Sequence, residues 1–312
     1  MPSEECTPDL WHAKTGSRRK TILRHAGEPA WRHESCYWLA RDVRAGTVRK
    51  EFIAGRPSPP GSTRTVLGLR HALLDPVGHV RGGVPGFAPE AAVVLISPRL
   101  GAGFVQFLVD LRPGEAGGSG LPGVEGFLYL LAGEAAAELG GQPVLLAAGD
   151  FFFTPPGMAW RLRAGACGAR AVVFEKPYAR RPGISEPPLL VGRTGEVAGL
   201  PFLGDPDALL RTFLPEDPSF DMAVNLFEFR PGASLPFVEA HVMEHGLLML
   251  EGRGIYRLED AWYPVAAGDA IWMAPYCPQW FAALGPTPAR YLYYKDVGRH
   301  PLEDGRGEGK IA

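Results

Sequence analysis

The chain is poor in cysteine, in uninterrupted apolar stretches and in surplus charge of either sign. Its four cysteines, at 6, 36, 167 and 277, form no CxxC pair and no regular spacing. Neither a zinc knuckle nor a disulfide framework is expected, and a reducing, cytoplasmic setting fits. No run approaches the roughly 18 apolar residues that a membrane-crossing helix needs, so no membrane partner is expected. A net charge of -2 leaves no electrostatic footprint for nucleic acid, and no helix-turn-helix pattern supplies one.

What is abundant is turn chemistry. Forty glycines and thirty-one prolines in 312 residues favour many short strands over long helices, and an all-β fold follows. The length allows one large core or two of ordinary size. Charge is unevenly spread: residues 1–65 carry twelve Lys/Arg against seven Asp/Glu, so a basic head precedes an acidic body. That head lacks the apolar core of a signal peptide and reads as a poorly ordered extension.

The body repeats itself. "GFLYLLAG" at 126–133 matches "HGLLMLEG" at 245–252, and "AAGDFFFTPPGMAW" at 147–160 matches "AAGDAIWMAPYCPQ" at 266–279, both offset by 119 residues. The same offset carries "VVFEK" at 172–176 onto "YLYYK" at 291–295, while the two "RPG" turns differ by 118. Two copies of one β module, each a jelly-roll type barrel or sandwich, are the economical reading. The expected divisions are an extension 1–65, a first module 66–178, a proline-rich linker 179–215, a second module 216–298 and a tail 299–312.

The second copy holds "VEAHVMEHGLLMLEGRG", with Glu239, His241 and His245 in seven positions. On one straight strand Glu239 and His245 would stand about 20 Å apart, too far to share an ion. The chain must therefore bend after His241 and return with His245. "HVMEH" also fits an inverted zinc-protease helix, but Gly246, Gly252 and Gly254 follow too closely for a helix to persist. Glu244 reads as a surface or supporting residue and Cys277 as a buried thiol.

The RPG turn, E-x-H-x-x-x-H, a glycine seven residues on, "AGD" and a proline-flanked Gln279 together resemble a cupin metal site. The departure from the common cupin pattern, with Glu239 leading and Gln279 in the place of the usual last His, is similar to the (S)-ureidoglycine aminohydrolase family. The likeness runs from about residue 66 to 302 and includes "LPEDPSFDM" and "YLYYKDVGRHPLE". It implies a bicupin of two jelly-roll barrels in tandem, a homo-oligomer, and a manganese ion held by Glu239, His241, His245 and Gln279. One carboxylate, two imidazoles and an amide oxygen suit Mn²⁺, with Fe²⁺ or Zn²⁺ as the other candidates.

The resemblance further implies a small ureide substrate contacted by Tyr256, Tyr291, Lys295, Glu239 and Gln279, with Lys295 and Tyr291 fixing its carboxylate during catalysis. The implied reaction is hydrolytic release of ammonia from (S)-ureidoglycine, giving (S)-ureidoglycolate. An Fe²⁺-dependent dioxygenase using the same pocket and a non-catalytic binding bicupin are the alternatives. The 119-residue offset puts Gly120, Pro122, Gly126 and Trp160 at the corresponding places of the first copy, which cannot hold a metal that way. The same offset puts Lys176 at the place of Lys295, which would make that lysine part of the scaffold.

Overall fold

The computed structural model describes residues 63–299; the expectations for residues 1–62 and for 300–312 lie outside them. Nearly all regular structure is β-strand, and every strand pairing is antiparallel. The first barrel comprises β3 (Ala92–Ile96), β4 (Val105–Leu111), β5 (Ala116–Ser119), β6 (Val124–Leu139), β7 (Gln142–Ala147), β8 (Asp150–Thr154), β9 (Trp160–Pro177) and β10 (Leu190–Arg193). Their order is β10-β8-β6-β9-β4-β3, with β5 added to β9 and β7 to β6.

The second barrel is built from β11 (Leu200–Phe202), β12 (Asp205–Thr212), β13 (Met222–Phe229), β14 (His245–Glu251), β15 (Arg253–Leu258), β16 (Ala261–Ala266), β17 (Ala270–Met273), β18 (Gln279–Ala283) and β19 (Ala289–Asp296). Two strands from ahead of the first barrel, β1 (Val66–Leu67) and β2 (His71–Leu74), complete it. Its sheets run β1-β2-β17-β14-β19-β13-β12-β11 and β16-β15-β18. This tandem of two all-β barrels is the fold expected.

The domain edges differ from the sequence reading. Residues 66–74, assigned there to the first module, belong to the second sheet through β2 and β17. Arg64 secures that segment, pairing with buried Asp269 at 2.7 Å and with Asp75 at 3.3 Å. The segment 179–215 is more than a linker: β10 extends the first sheet beside β8, while β11 and β12 extend the second beside β13. Pro201 and Pro206 sit in these outlying strands, where a missing N–H is tolerated.

The "AGD" turns recur because each needs a residue with positive φ: Gly149 has φ 94° and Gly268 has φ 93°. The aspartate that follows accepts the backbone N–H three residues back, Asp150 from Ala147 at 2.9 Å and Asp269 from Ala266 at 2.8 Å. Alternating side chains then sort into three cores. One fills each barrel and a third lies between them. In the last, Phe213 stacks on Phe151 at 4.4 Å and Tyr294 packs on Phe104 at 4.2 Å.

The copies slip by one residue at their last strands. Gly126 pairs with Thr154 and Glu175, whereas His245 pairs with Met273 and Lys295. Such a slip turns a side chain to the opposite face. The counterpart of Lys295 is therefore Glu175, and Lys176 points between the barrels, 2.6 Å from Asp221 and 3.9 Å from Glu125. Lys295 is thus no copy of a scaffold lysine. Glu244 likewise lies between the barrels and not on the surface, accepting Gly103 N–H at 2.9 Å and Trp272 Nε1–H at 3.3 Å.

Candidate metal centre and pocket

The bend required by the sequence is present. Glu239 bridges Gln279 through both backbone hydrogen bonds, each 2.8 Å, the chain bends at Val242, and His245 opens β14. The loop before β18 is tied to this bend by Tyr276 N–H, which donates to the His241 carbonyl at 2.7 Å. Tyr276 holds φ at 60°, a left-handed conformation that a non-glycine residue adopts only under constraint.

Inside the barrel the side chains of His241, His245, Gln279 and Tyr256 converge. Gln279 Nε2 lies 3.3 Å from His241 Nε2 and 3.2 Å from His245 Nδ1, and Gln279 Oε1 accepts the Tyr256 hydroxyl at 3.2 Å. The imidazole rings are 4.8 Å apart. Among the described residues no three His, Cys, Asp or Glu side chains gather around one point. Gln279 is the third member of this cluster, with Glu239 fastened beside it by backbone.

Electrostatics favour neutral imidazoles. Burial, then the neighbouring His241 and Lys295, holds His245 well below its ordinary value, and burial with Lys295 lowers His241. Burial raises the Glu239 carboxyl against the pull of Lys295, and lowers the Lys295 ammonium against the pull of Glu239. Tyr256 and Tyr291 are pushed well up by burial, so both are protonated donors.

Two buried ring nitrogens, His241 Nδ1 and His245 Nε2, have no hydrogen-bond partner among the described residues. Neutral imidazoles with orphaned nitrogens, an amide and a single nearby carboxylate are a donor set that fits a divalent ion of the manganese type. Cys277 is a buried free thiol whose Sγ faces the Pro278 carbonyl at 3.7 Å. It takes no part in the cluster.

The remaining sequence candidates line the same interior. Tyr291 and Lys295 share the inward face of β19, and Tyr291 packs on Tyr256, Phe227 and Phe281. Two residues of this interior received no role in the sequence reading, Asn225 and Tyr293. The even spacing of Tyr291, Tyr293 and Lys295 was the available signal.

In the first barrel the same places are closed. Ser119 pairs with Trp160 as Glu239 pairs with Gln279, so Ser119, not Gly120, is the counterpart of Glu239. Gly126 replaces His245, and a Cβ there would meet Thr154 Oγ1 at 3.0 Å and Trp160 Nε1 at 3.6 Å. Phe87 packs on Trp160 and Phe107 to fill the rest.

Comparison with known proteins places these features. The Cupin domain family matches residues 107–172 and 225–294. The chain is 39% identical to the probable (S)-ureidoglycine aminohydrolase of Oryza sativa subsp. japonica, covering 85% of this chain and 84% of that one. It is 40% identical to the (S)-ureidoglycine aminohydrolase of Arabidopsis thaliana over 78% of this chain and 81% of the relative. Among solved structures, protein Ylba from E. coli superposes with a TM-score of 0.68 at 33% identity, covering 76% of this chain and 96% of that one.

Proposed function

Because this chain belongs to the (S)-ureidoglycine aminohydrolase family of cupins, we propose that it hydrolyses (S)-ureidoglycine to (S)-ureidoglycolate and ammonia in purine and allantoin degradation. The reading includes Mn²⁺ held by Glu239, His241, His245 and Gln279. The observation that carries it is the convergence of His241, His245 and Gln279 with Tyr256 in a buried interior that also holds Lys295 and Glu239.

The substrate carbon bears an amine, a ureido group and a carboxylate. Its C–N bond to the amine breaks, a C–O bond to water forms, and the amine departs as ammonia. When bound, the metal would supply Lewis acidity and orientation. The chain's own groups do the rest. Lys295 brings a positive charge to the inward face of β19, where a substrate carboxylate satisfies it. Tyr291, protonated, donates to the same carboxylate, which presents one face of the carbon and accounts for a single product configuration. Tyr256 fixes the Gln279 amide, and the ring walls of Phe227 and Phe281 limit the water in the pocket. We take the protein to be cytoplasmic and homo-oligomeric, the assembly from its family.

The test is the metal content of purified wild-type, Glu239→Ala and Gln279→Ala protein, with ammonia release from freshly made (S)-ureidoglycine. Stoichiometric manganese in the wild type, lost in both variants, together with wild-type ammonia release is the expected result. Bound metal without ammonia above the buffer blank would refute the reaction.

A further inference from the structure

One polar pair of the second barrel takes no part in the cluster described above. Asn225 on β13 and Tyr293 on β19 are direct cross-strand partners on the inward face. Asn225 is 2% exposed and donates from Nδ2 to the Tyr293 hydroxyl at 3.0 Å. Its carboxamide oxygen has no partner among the described residues. A buried acceptor left unmade costs about 1–3 kcal/mol, so such an atom calls for an explanation. No donor among the described residues reaches it, and Phe227 stacks on its partner Tyr293 at 5.7 Å. The pair nevertheless borders the site, since the Tyr293 ring lies 5.4 Å from His245.

The first barrel shows that the fold does not need this pair. Phe107 and Val173 occupy the corresponding rung of β4 and β9 and are wholly buried hydrocarbon. A polar pair appears only in the barrel that carries the histidines.

We propose that Asn225 and Tyr293 recognise the ureido group of the substrate, an assignment that rests on the reaction put forward above. With its oxygen engaged by Asn225 Nδ2, the Tyr293 hydroxyl turns its proton away from Asn225, and Asn225 Oδ1 remains as an acceptor. With the carboxamide turned over, Tyr293 donates to Oδ1, and Nδ2 and the phenol oxygen take the two free roles. In both arrangements the pair offers one donor beside one acceptor. A ureido group offers the complement, a carbonyl oxygen beside an N–H. Lys295 stands two residues along the same strand, about 7 Å away at the backbone, where it meets the carboxylate. A ligand with hydrocarbon in place of the ureido group leaves both partners unpaired, which is how a site built to hydrogen-bond rejects an isostere.

Titration calorimetry on the full chain with its metal retained tests the assignment with two stable ligands. N-carbamoylglycine keeps the carboxylate and ureido group and has no amine to release; 4-methylpentanoate replaces the ureido group by hydrocarbon of the same shape. The wild type is expected to prefer N-carbamoylglycine. Tyr293→Phe and Asn225→Leu should each weaken it about tenfold or more, and leave 4-methylpentanoate within about twofold. Tyr293→Phe removes a single oxygen and keeps the ring, so it reports even if Asn225→Leu does not fold. No wild-type preference, an unchanged affinity for N-carbamoylglycine in Tyr293→Phe, or parallel weakening of both ligands would overturn the proposal. Wild-type ammonia release is scored separately. Release with unchanged variant affinities removes the ureido assignment alone, and selective binding without release removes the reaction alone.

Discussion

Lys295 carries its charge into a barrel interior with no salt-bridge partner among the described residues; Glu239 is the first of the charges that hold its proton in place. A half-buried ammonium so placed is set up for an anionic ligand and contributes little to the fold. Lys295→Met is therefore expected to raise KM for (S)-ureidoglycine about 10- to 100-fold while leaving the melting temperature near wild type, as steady-state kinetics and calorimetry would show. A fall in stability with unchanged KM would make the residue structural. The residues on either side of it show what the sequence carried and what it hid. His241 and His245 were legible because their spacing permits a shared site only if the chain bends, and it does. Asn225 was hidden, since one asparagine in "MAVNLFEF" looks like any polar interruption of a strand. Only its cross-strand partner and its unmatched oxygen single it out.

At the scale of elements, β14 serves two purposes at once. His245, Leu247 and Met249 face the pocket side, while Gly246 and Leu248 face the first barrel. Gly246 has no room for a side chain: a Cβ would meet the Phe104 ring at 2.4 Å and Gln106 Oε1 at 2.6 Å. Gly246→Ala is expected to destabilise the protein by about 1–3 kcal/mol, read as a lowered calorimetric melting temperature. The repeat of "GFLYLLAG" and "HGLLMLEG" made the paired strands legible as elements. The slip between β9 and β19 was not legible, because "VVFEK" and "YLYYK" align best with their lysines superposed. Hydrogen-bond register overrides that alignment and sends Lys176 and Lys295 to opposite faces. The joining of β2 to β17 was equally silent, since "HALL" carries no mark of which barrel it enters.

The whole molecule is held partly by a buried ionic cluster between the barrels. Lys176 reaches Asp221 and Glu125, and Asp221 also accepts the Ala179 N–H at 2.7 Å. Burial and the adjacent Asp221 push the Glu125 carboxyl up to about 10, so it is protonated in the folded protein. The unfolded chain releases that proton above the ordinary carboxyl range. Glu125 therefore contributes stability that is full below that range and declines as pH rises towards about 10. Glu125→Gln, which keeps the neutral form, is expected to reduce the loss of melting temperature between about pH 6 and about pH 9. An unchanged pH slope in scanning calorimetry would assign the decline to other groups.

The strands β1 and β2 set a constraint on the order in which this chain can be assembled. They leave the ribosome before any part of the first barrel, yet their hydrogen-bonding partner β17 follows roughly 200 residues later. The first barrel thus folds as an insertion within the second. Until synthesis passes β17, the leading strands carry unmatched backbone edges, and a nascent chain arrested between the barrels exposes a pairing surface open to any neighbouring strand.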